Sequence, residues 1–357
     1  MKKDVVKIAV ISERFFLSEN GTISVSPRGS NILLWNVIST LIKTKEFKFE
    51  IYQLGVDDSV TEYQGTKINT LKSNDFFDYK ERIKDISFDT DLLHYNNIDL
   101  ASTRSKCITT ATIHTNSFIE KNSAYQWLIK ESSLFDQIVV VNEEYLRRYI
   151  NLGSKLKLIK NGIPLEIFKF TRKKLDKNKD IKILFPNLNS HKKNRTFALE
   201  LIKRLQKAED KYKLILTGES EDWGIDNGLY NFVGRVDYGI DMAKLYQDCF
   251  ITIVPSISES CSLCSLESMA CGTVVIANNI HGISSYITNY KDGYLISISD
   301  IEKWVSIIER LVNNLKEYSL IAKNARSTIE KEYNSVRMAY DYYNMWVNLI
   351  KKGNGEE

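Results

Sequence analysis

A chain of 357 residues, 43% hydrophobic and 26% charged, is long for one core and comfortable for two soluble globular domains. No apolar run approaches the roughly 18 residues that a membrane-spanning helix needs, and five cysteines, an odd number, do not make a disulfide framework. A net charge of +4 without an arginine-rich cluster, a zinc-finger spacing or an aromatic-basic motif leaves no footprint for nucleic acid.

The chain opens MKKDVVKIAVISERFF, passing from a strand to a charged loop without a signal-peptide cleavage pattern, which predicts a cytoplasmic protein. Short β-branched runs then alternate with helical patterns. In the first half the predicted strands are Val5–Ser12, Phe49–Leu54, Leu92–Tyr95, Ile108–His114 and Ile138–Asn142. The loop Glu13–Gly29 ends in SPRGS, where Gly29 either lets backbone N–H groups approach a ligand closely or serves turn geometry alone. Lys43, Lys45 and Lys48 read as a solvated helix end, with weak peripheral contact to an anionic inner-membrane face as the alternative. His114 closes an apolar strand, a place where a lone histidine is usually structural.

Lys169–Asp180 is charged and lacks apolar period, so it reads as the linker between two units. Strands follow at Ile181–Phe185, Lys213–Thr217, Ile251–Pro255 and Thr273–Asn278, again separated by helical patterns, which implies parallel sheets with crossover helices. Ligands of such sheets bind beyond the carboxyl ends of the strands. Directly after the Ile181–Phe185 strand comes HKKNR, His191–Arg195, which by itself is usually a solvated helix start. The last predicted helix, about Ser335–Lys351, carries Val336, Tyr340, Tyr343, Trp346, Val347 and Ile350 at helical spacing, a packing stripe.

Most informative is Ser258–Gly272, SESCSLCSLESMACG, which sets Glu259 and Glu267 eight residues apart across a loop-to-helix junction. Leu263–Ala270 has the apolar spacing of a short helix. The first backbone N–H groups of that helix, near Ser262, Leu263 and Cys264, lack intrahelical partners and carry the positive end of its dipole, a ready anion site. Cys261, Cys264 and Cys271 fall within eleven residues, but a Cys-x2-Cys without a second matched pair is a weak metal signal, and packing explains them better.

Glu-x7-Glu after a Pro-Ser strand end, followed by Met-Ala-Cys-Gly and a second strand TVVIAN, resembles the donor-site motif of glycosyltransferase family 4, retaining enzymes of the GT-B fold. KNGIPLEIF at 160–168 is similar to the segment ending that family's first domain. ILFPNLNSHKKN at 183–194 stands in place of its Gly-Arg…Lys-Asn loop. LILTG at 214–218 and FVGRV at 232–236 follow in the expected order and put Gly218 and Val233 among donor-binding positions. The resemblance implies an α/β GT-B protein: two doubly wound, Rossmann-like parallel-sheet domains facing a cleft. It assigns residues 1–168 to the acceptor side, 169–334 to the nucleotide-sugar donor, and the terminal helix, 335–357, to a return onto the first domain.

It further implies that Glu259 contacts donor-sugar hydroxyls near the reaction centre, that Glu267 accepts from both ribose hydroxyls, and that His114 faces the donor sugar. The family's diphosphate-binding lysine maps onto Lys193, with Lys192 as the alternative, and its arginine onto Asn187, an amide that brings hydrogen bonds but no charge. HGISSYI at 281–287 resembles the family's Gly-Gly-x-x-Glu loop with His281 and Ser285 as departures. The implied activity is retaining, metal-independent transfer of a sugar from a nucleoside-diphosphate sugar to a hydroxyl of a cell-envelope, capsular or lipid-linked glycan, with no cofactor. A non-catalytic nucleotide-sugar-binding subunit and a sugar-nucleotide epimerase of similar fold remain as alternatives.

Overall fold

The computed structural model describes residues 5–19, 22–26, 28–114, 122–176, 179–186, 190–218 and 229–355. It divides into two compact units, Met1–Gly162 with Ser335–Glu357, and Ile163–Asn334. Among the described residues no helix is long and apolar enough to cross a membrane.

The first unit holds β1 (Val6–Ser12), β2 (Phe16–Glu19), β3 (Thr22–Val25), β4 (Phe47–Gly55), β5 (Ser59–Tyr63), β6 (Thr66–Lys72), β7 (Leu92–Tyr95), β8 (Ile108–Ile113), β9 (Gln137–Val140) and β10 (Leu156–Leu158). Among the described residues eight of these form one sheet in the order β10-β9-β8-β7-β1-β4-β6-β5, and β2 and β3 form a separate hairpin. The sheet is parallel except for β5, which runs antiparallel to β6. Strands covered by helices on both faces read as continuous apolar runs, as VKIAVIS does. The chain proceeds from β1 outward to β4 and β6, then returns to β7 on the other side of β1, so the order reverses between β1 and β7.

The terminal helix, Ser335–Gly353, packs in this unit against the Gly29–Ile42 helix. Its buried face differs from the expected stripe. Met338, Ala339, Tyr342, Met345 and Trp346 are buried, whereas Val336 and Tyr340 are 65% and 63% exposed. The stripe drawn from sequence mixed two faces, because tyrosines recur on both and only packing selects one. Trp346 is fully buried, with its ring 6.1 Å from Phe49 and 5.6 Å from His94.

The second unit is a wholly parallel sheet of β11 (Ile181–Phe185), β12 (Tyr212–Leu216), β13 (Tyr230–Phe232), β14 (Ile251–Val254), β15 (Val274–Asn278) and β16 (Tyr294–Ile296), ordered β13-β12-β11-β14-β15-β16 among the described residues. The period of two is visible in its cores. Ile181, Ile183 and Phe185 pack on one face with Trp304 and Leu205, while Leu184 packs on the other with Leu266 and Met269. Val274 and Ile276 divide from Val275 and Ala277 in the same way.

The unit boundary lies at 162/163, six residues before the expected 168/169. Ile163 and Phe168 are buried in the core of the second unit, and the Ile163 N–H bonds to the Tyr333 carbonyl at 2.7 Å. The described part of the charged segment, 169–176 and 179–180, likewise belongs to that unit and is not a free linker. Lys173 Nζ reaches the carbonyl of Tyr246 at 2.8 Å, and Phe170 packs on the core.

Candidate functional site

In the second unit the chain goes from β11 to β12 and β13 on one side and then crosses to β14 on the other, which puts the switch point between β11 and β14. An open parallel sheet leaves its ligand crevice at such a point. The loops that follow these two strands hold the two charged groups singled out by sequence, Lys193 and Glu259.

Lys193 lies in a single turn, His191–Lys193, whose entrance is fixed by Ser190 and whose exit needs Asn194 in the left-handed region at φ 61°. Asparagine tolerates that conformation better than most side chains. The Ile257 N–H donates to the Lys192 carbonyl at 2.8 Å, tying this turn to the loop after β14. The consequence is a Lys193–Glu259 ion pair between Nζ and Oε1, in which the side chains are only 18% and 12% exposed. Ser256 donates to the same oxygen at 2.9 Å. Burial opposes the charge on Lys193, yet the adjacent Glu259 carboxylate holds its ammonium above the ordinary value. Lys192 and Arg195 are exposed on the same segment.

After Glu259 the loop enters the Leu263–Cys271 helix, with Ser262 as N-cap residue. The helix starts beside the ion pair: Lys193, Ser256, Ser262 and Cys264 line one small cavity. Burial pushes the Cys264 thiol up to about 11, so it is neutral. Glu267, one turn further in, is 4% exposed, and Tyr246 donates to its Oε2 at 2.9 Å. Burial raises the Glu267 carboxyl to about 7, and the Tyr246 hydrogen bond opposes that rise. One carboxyl oxygen of Glu267 is thus engaged by Tyr246 within the protein. The helix ends at Gly272, φ 78°, where a Cβ would lie 2.7 Å from the Phe170 ring.

Gly282, retained in HGISSYI, has a second role that the sequence did not disclose. A Cβ there would stand 1.8 Å from the Glu259 carbonyl oxygen, so the turn after β15 can lie against the Glu259 main chain only through a glycine. Asn278, at the end of β15, donates to the Ser256 carbonyl at 2.8 Å and completes the support. Tyr246 carried no recognisable spacing, and the supporting contacts of Ser256 and Asn278, though both end strands of the motif, follow from the fold. Ser262 Oγ, Ser265 Oγ and Tyr286 Oη are buried behind the helix start, and among the described residues none has a hydrogen-bond partner of good geometry.

Of the other candidates, Gly218 follows β12 and its N–H bonds to the Gly234 carbonyl at 3.0 Å; Val233 follows β13 and is 45% exposed. Both lie at carboxyl ends on the β12 side of the switch point. Asn187 lies outside the described residues. Gly29 and His114 belong to the first unit. Gly29 begins the Gly29–Ile42 helix. His114 follows β8, its Nε2 is 3.1 Å from Asn96 Oδ1, and burial lowers its pKa to about 4. Among the described residues no three His, Cys, Asp or Glu side chains are grouped to hold a metal ion.

Residues 167–328 match the family model described as glycosyl transferases group 1. The UDP-Gal:α-D-GlcNAc-diphosphoundecaprenol α-1,3-galactosyltransferase of Escherichia coli is 24% identical over 110 residues, 31% of this chain and 28% of that protein. The D-inositol 3-phosphate glycosyltransferase of Stackebrandtia nassauensis is 30% identical over 87 residues, 24% of this chain and 20% of that protein. The aligned regions thus span less than a third of these relatives. Sucrose-phosphate synthase from Thermosynechococcus elongatus superposes with a TM-score of 0.75 at 18% identity, covering 97% of this chain and 100% of that one. Anabaena Alr3699/HepE in complex with UDP-glucose superposes at 0.74 and 14% identity, covering 96% and 99%. Over residues 167–328 the chain is similar to group 1 glycosyl transferases, and its fold is GT-B.

Proposed function

We propose that this protein is a retaining glycosyltransferase of family 4 type that moves a sugar from a nucleoside-diphosphate sugar to a hydroxyl acceptor. The observation that carries the reading is the Lys193–Glu259 pair at the β11/β14 switch point, next to the start of the Leu263–Cys271 helix, with Glu267 behind it. Departure of a nucleoside diphosphate develops negative charge on phosphate and positive charge at the anomeric carbon. A cation with a helix N-terminus answers the first, and a carboxylate the second. In this reading Lys193 and the helix N–H groups hold the diphosphate without a metal ion. Glu259 orients the sugar, Glu267 takes ribose through its oxygen not bound by Tyr246, and the departing diphosphate accepts the acceptor proton on the face it leaves. On the family resemblance alone, His114 of the first unit is a further candidate for the donor sugar. Lys192, Gly218, Val233 and Gly29 are secondary candidates for the donor.

A UDP-hexose is the first donor to try, because the E. coli relative is named for UDP-Gal and HepE was crystallised with UDP-glucose. A lipid-linked or envelope glycan is the corresponding acceptor class. The test is direct: purified protein, a panel of nucleotide sugars, and detection of released nucleoside diphosphate and of transferred sugar with its anomeric configuration. Neither hydrolysis nor transfer from any donor, despite measured nucleotide binding, would replace the enzyme with a binding subunit. An inverted product would overturn retention.

A further inference from the structure

A second polar cluster lies in the first unit, at the carboxyl ends of β1 and β7, where that sheet has its own switch point. Ser12, Asn31 and Asn96 are 1%, 2% and 2% exposed, and Asn97 and His114 adjoin them. Each amide in such a cluster has two orientations, and the histidine ring has two neutral tautomers. Backbone groups remove the ambiguity.

The Arg14 carbonyl can only accept. The Asn31 group 2.6 Å from it is therefore the amide nitrogen, and Asn31 Oδ1 faces inward. That oxygen, an acceptor, is 2.8 Å from the Asn96 side chain, which must present Nδ2 to it; the same Nδ2 is 3.5 Å from Ser12 Oγ. Asn96 Oδ1 is thereby turned toward His114. At 3.1 Å an acceptor faces His114 Nε2, so that ring nitrogen must carry the hydrogen. Independently, the Glu13 N–H donates to Asn97 Oδ1 at 3.0 Å, and Ser12 Oγ lies 3.2 Å from Asn97 Oδ1 and 3.3 Å from Asn31 Oδ1. The amide oxygens of Asn31, Asn96 and Asn97 thus each meet a donor, with no reversed amide required.

We propose that Asn96 is a positioning residue that holds His114 as its Nε2–H tautomer, with the lone pair on Nδ1, and that the Arg14 carbonyl dictates this choice through Asn31. A group that meets the ring at Nδ1 must bring its own proton, as a sugar or acceptor hydroxyl does. One that meets it at Nε2 must displace Asn96. The catalytic weight of this arrangement rests on the proposed transferase reading; the tautomer itself does not.

The experiment uses the full chain labelled with 15N-histidine and long-range 1H–15N correlation at neutral pH, with His114 assigned by its loss in His114→Gln. The wild type is expected to show the Nε2–H pattern. Asn96→Leu and the more distant Asn31→Ala are expected to shift the tautomer ratio toward Nδ1–H by about fivefold or more, the worth of one hydrogen-bond preference. An Nδ1–H wild type, or a ratio unmoved in both Asn96→Leu and Asn31→Ala, overturns the proposal even if one variant fails to fold, because the wild-type spectrum alone decides the tautomer. In a transfer assay Asn96→Leu should lower kcat about tenfold with donor KM unchanged. A shifted tautomer with unchanged kcat would end the positioning role. A wild type that transfers nothing would count against the proposed function and leave the spectrum standing.

Discussion

The Tyr246 hydroxyl donates to Glu267 Oε2 at 2.9 Å, and Tyr246 is itself fixed from behind, its carbonyl accepting from Thr273 Oγ1 at 2.6 Å and from Lys173 Nζ at 2.8 Å. The residue that enters β15 and the segment after the unit boundary thus fix Tyr246, which in turn holds one buried carboxyl. The arrangement keeps the Glu267 carboxyl oriented.

Stability should record this burial through pH. Glu267 has a folded pKa of about 7 against an ordinary 4.5, so the folded state binds more protons than the unfolded one between those values. Its contribution is therefore lost as pH rises through that window. Glu267→Gln should be more stable than wild type at pH 8 by up to about 3 kcal/mol and nearly equal to it at pH 4. Denaturant unfolding at the two pH values measures the difference; equal gaps at both would contradict the buried, protonated carboxyl.

The same carboxyl should govern nucleotide affinity. Tyr246→Phe removes the hydrogen bond that opposes the raised pKa and frees the carboxyl to turn. Affinity for nucleoside diphosphate at neutral pH should fall by about 1–2 kcal/mol, and Glu267→Ala by about 1–3 kcal/mol, with little discrimination among donor sugars. Calorimetry with nucleoside diphosphate alone decides it, unchanged affinity in Glu267→Ala being the adverse result.

At the switch point the two charges should separate by role. Glu259→Gln is expected to cut turnover by about a hundredfold or more while nucleoside-diphosphate affinity is nearly kept. Lys193→Ala should weaken diphosphate binding and turnover together, even in excess magnesium, and it also leaves Glu259 without its cation. Wild-type activity abolished by a chelator and restored by a divalent ion would show that a metal does what is assigned to Lys193.

Gly282→Ala tests the support of Glu259 without changing a charge. The added Cβ would overlap the Glu259 carbonyl oxygen, a backbone atom that cannot rotate aside, so the loop must shift. A destabilisation of about 1–3 kcal/mol is expected, with a loss of kcat beyond what the unfolded fraction explains. Full activity at unchanged Tm would mean that the His281 turn is not held against Glu259.

The amino-acid sequence by itself determined the class of fold and pointed to Lys193, Glu259 and Glu267 as candidates for the site. Strands such as VKIAVIS and ITIV are legible because parallel strands buried on both faces need uninterrupted apolar runs, and the Glu259–Glu267 spacing is local to one loop and helix. Short edge strands escaped. Ser59–Tyr63, largely exposed, and Tyr294–Ile296, three residues long, have too little apolar period to stand out. So did the buried face of the terminal helix, where Val336 and Tyr340 match the period but Met338 and Tyr342 have the partner.

Tertiary structure alone decided which residues meet. Lys193 and Glu259 are 66 positions apart and pair because β11 and β14 are neighbours at the point where strand order reverses. Tyr246 reaches Glu267, Gly282 admits the Glu259 carbonyl, and Asn31 orients Asn96 for His114 through contacts between elements distant in the chain. Periodicity and spacing report on neighbours along the chain, whereas hydrogen-bond direction and close approach depend on the sheet order that brings strand ends together.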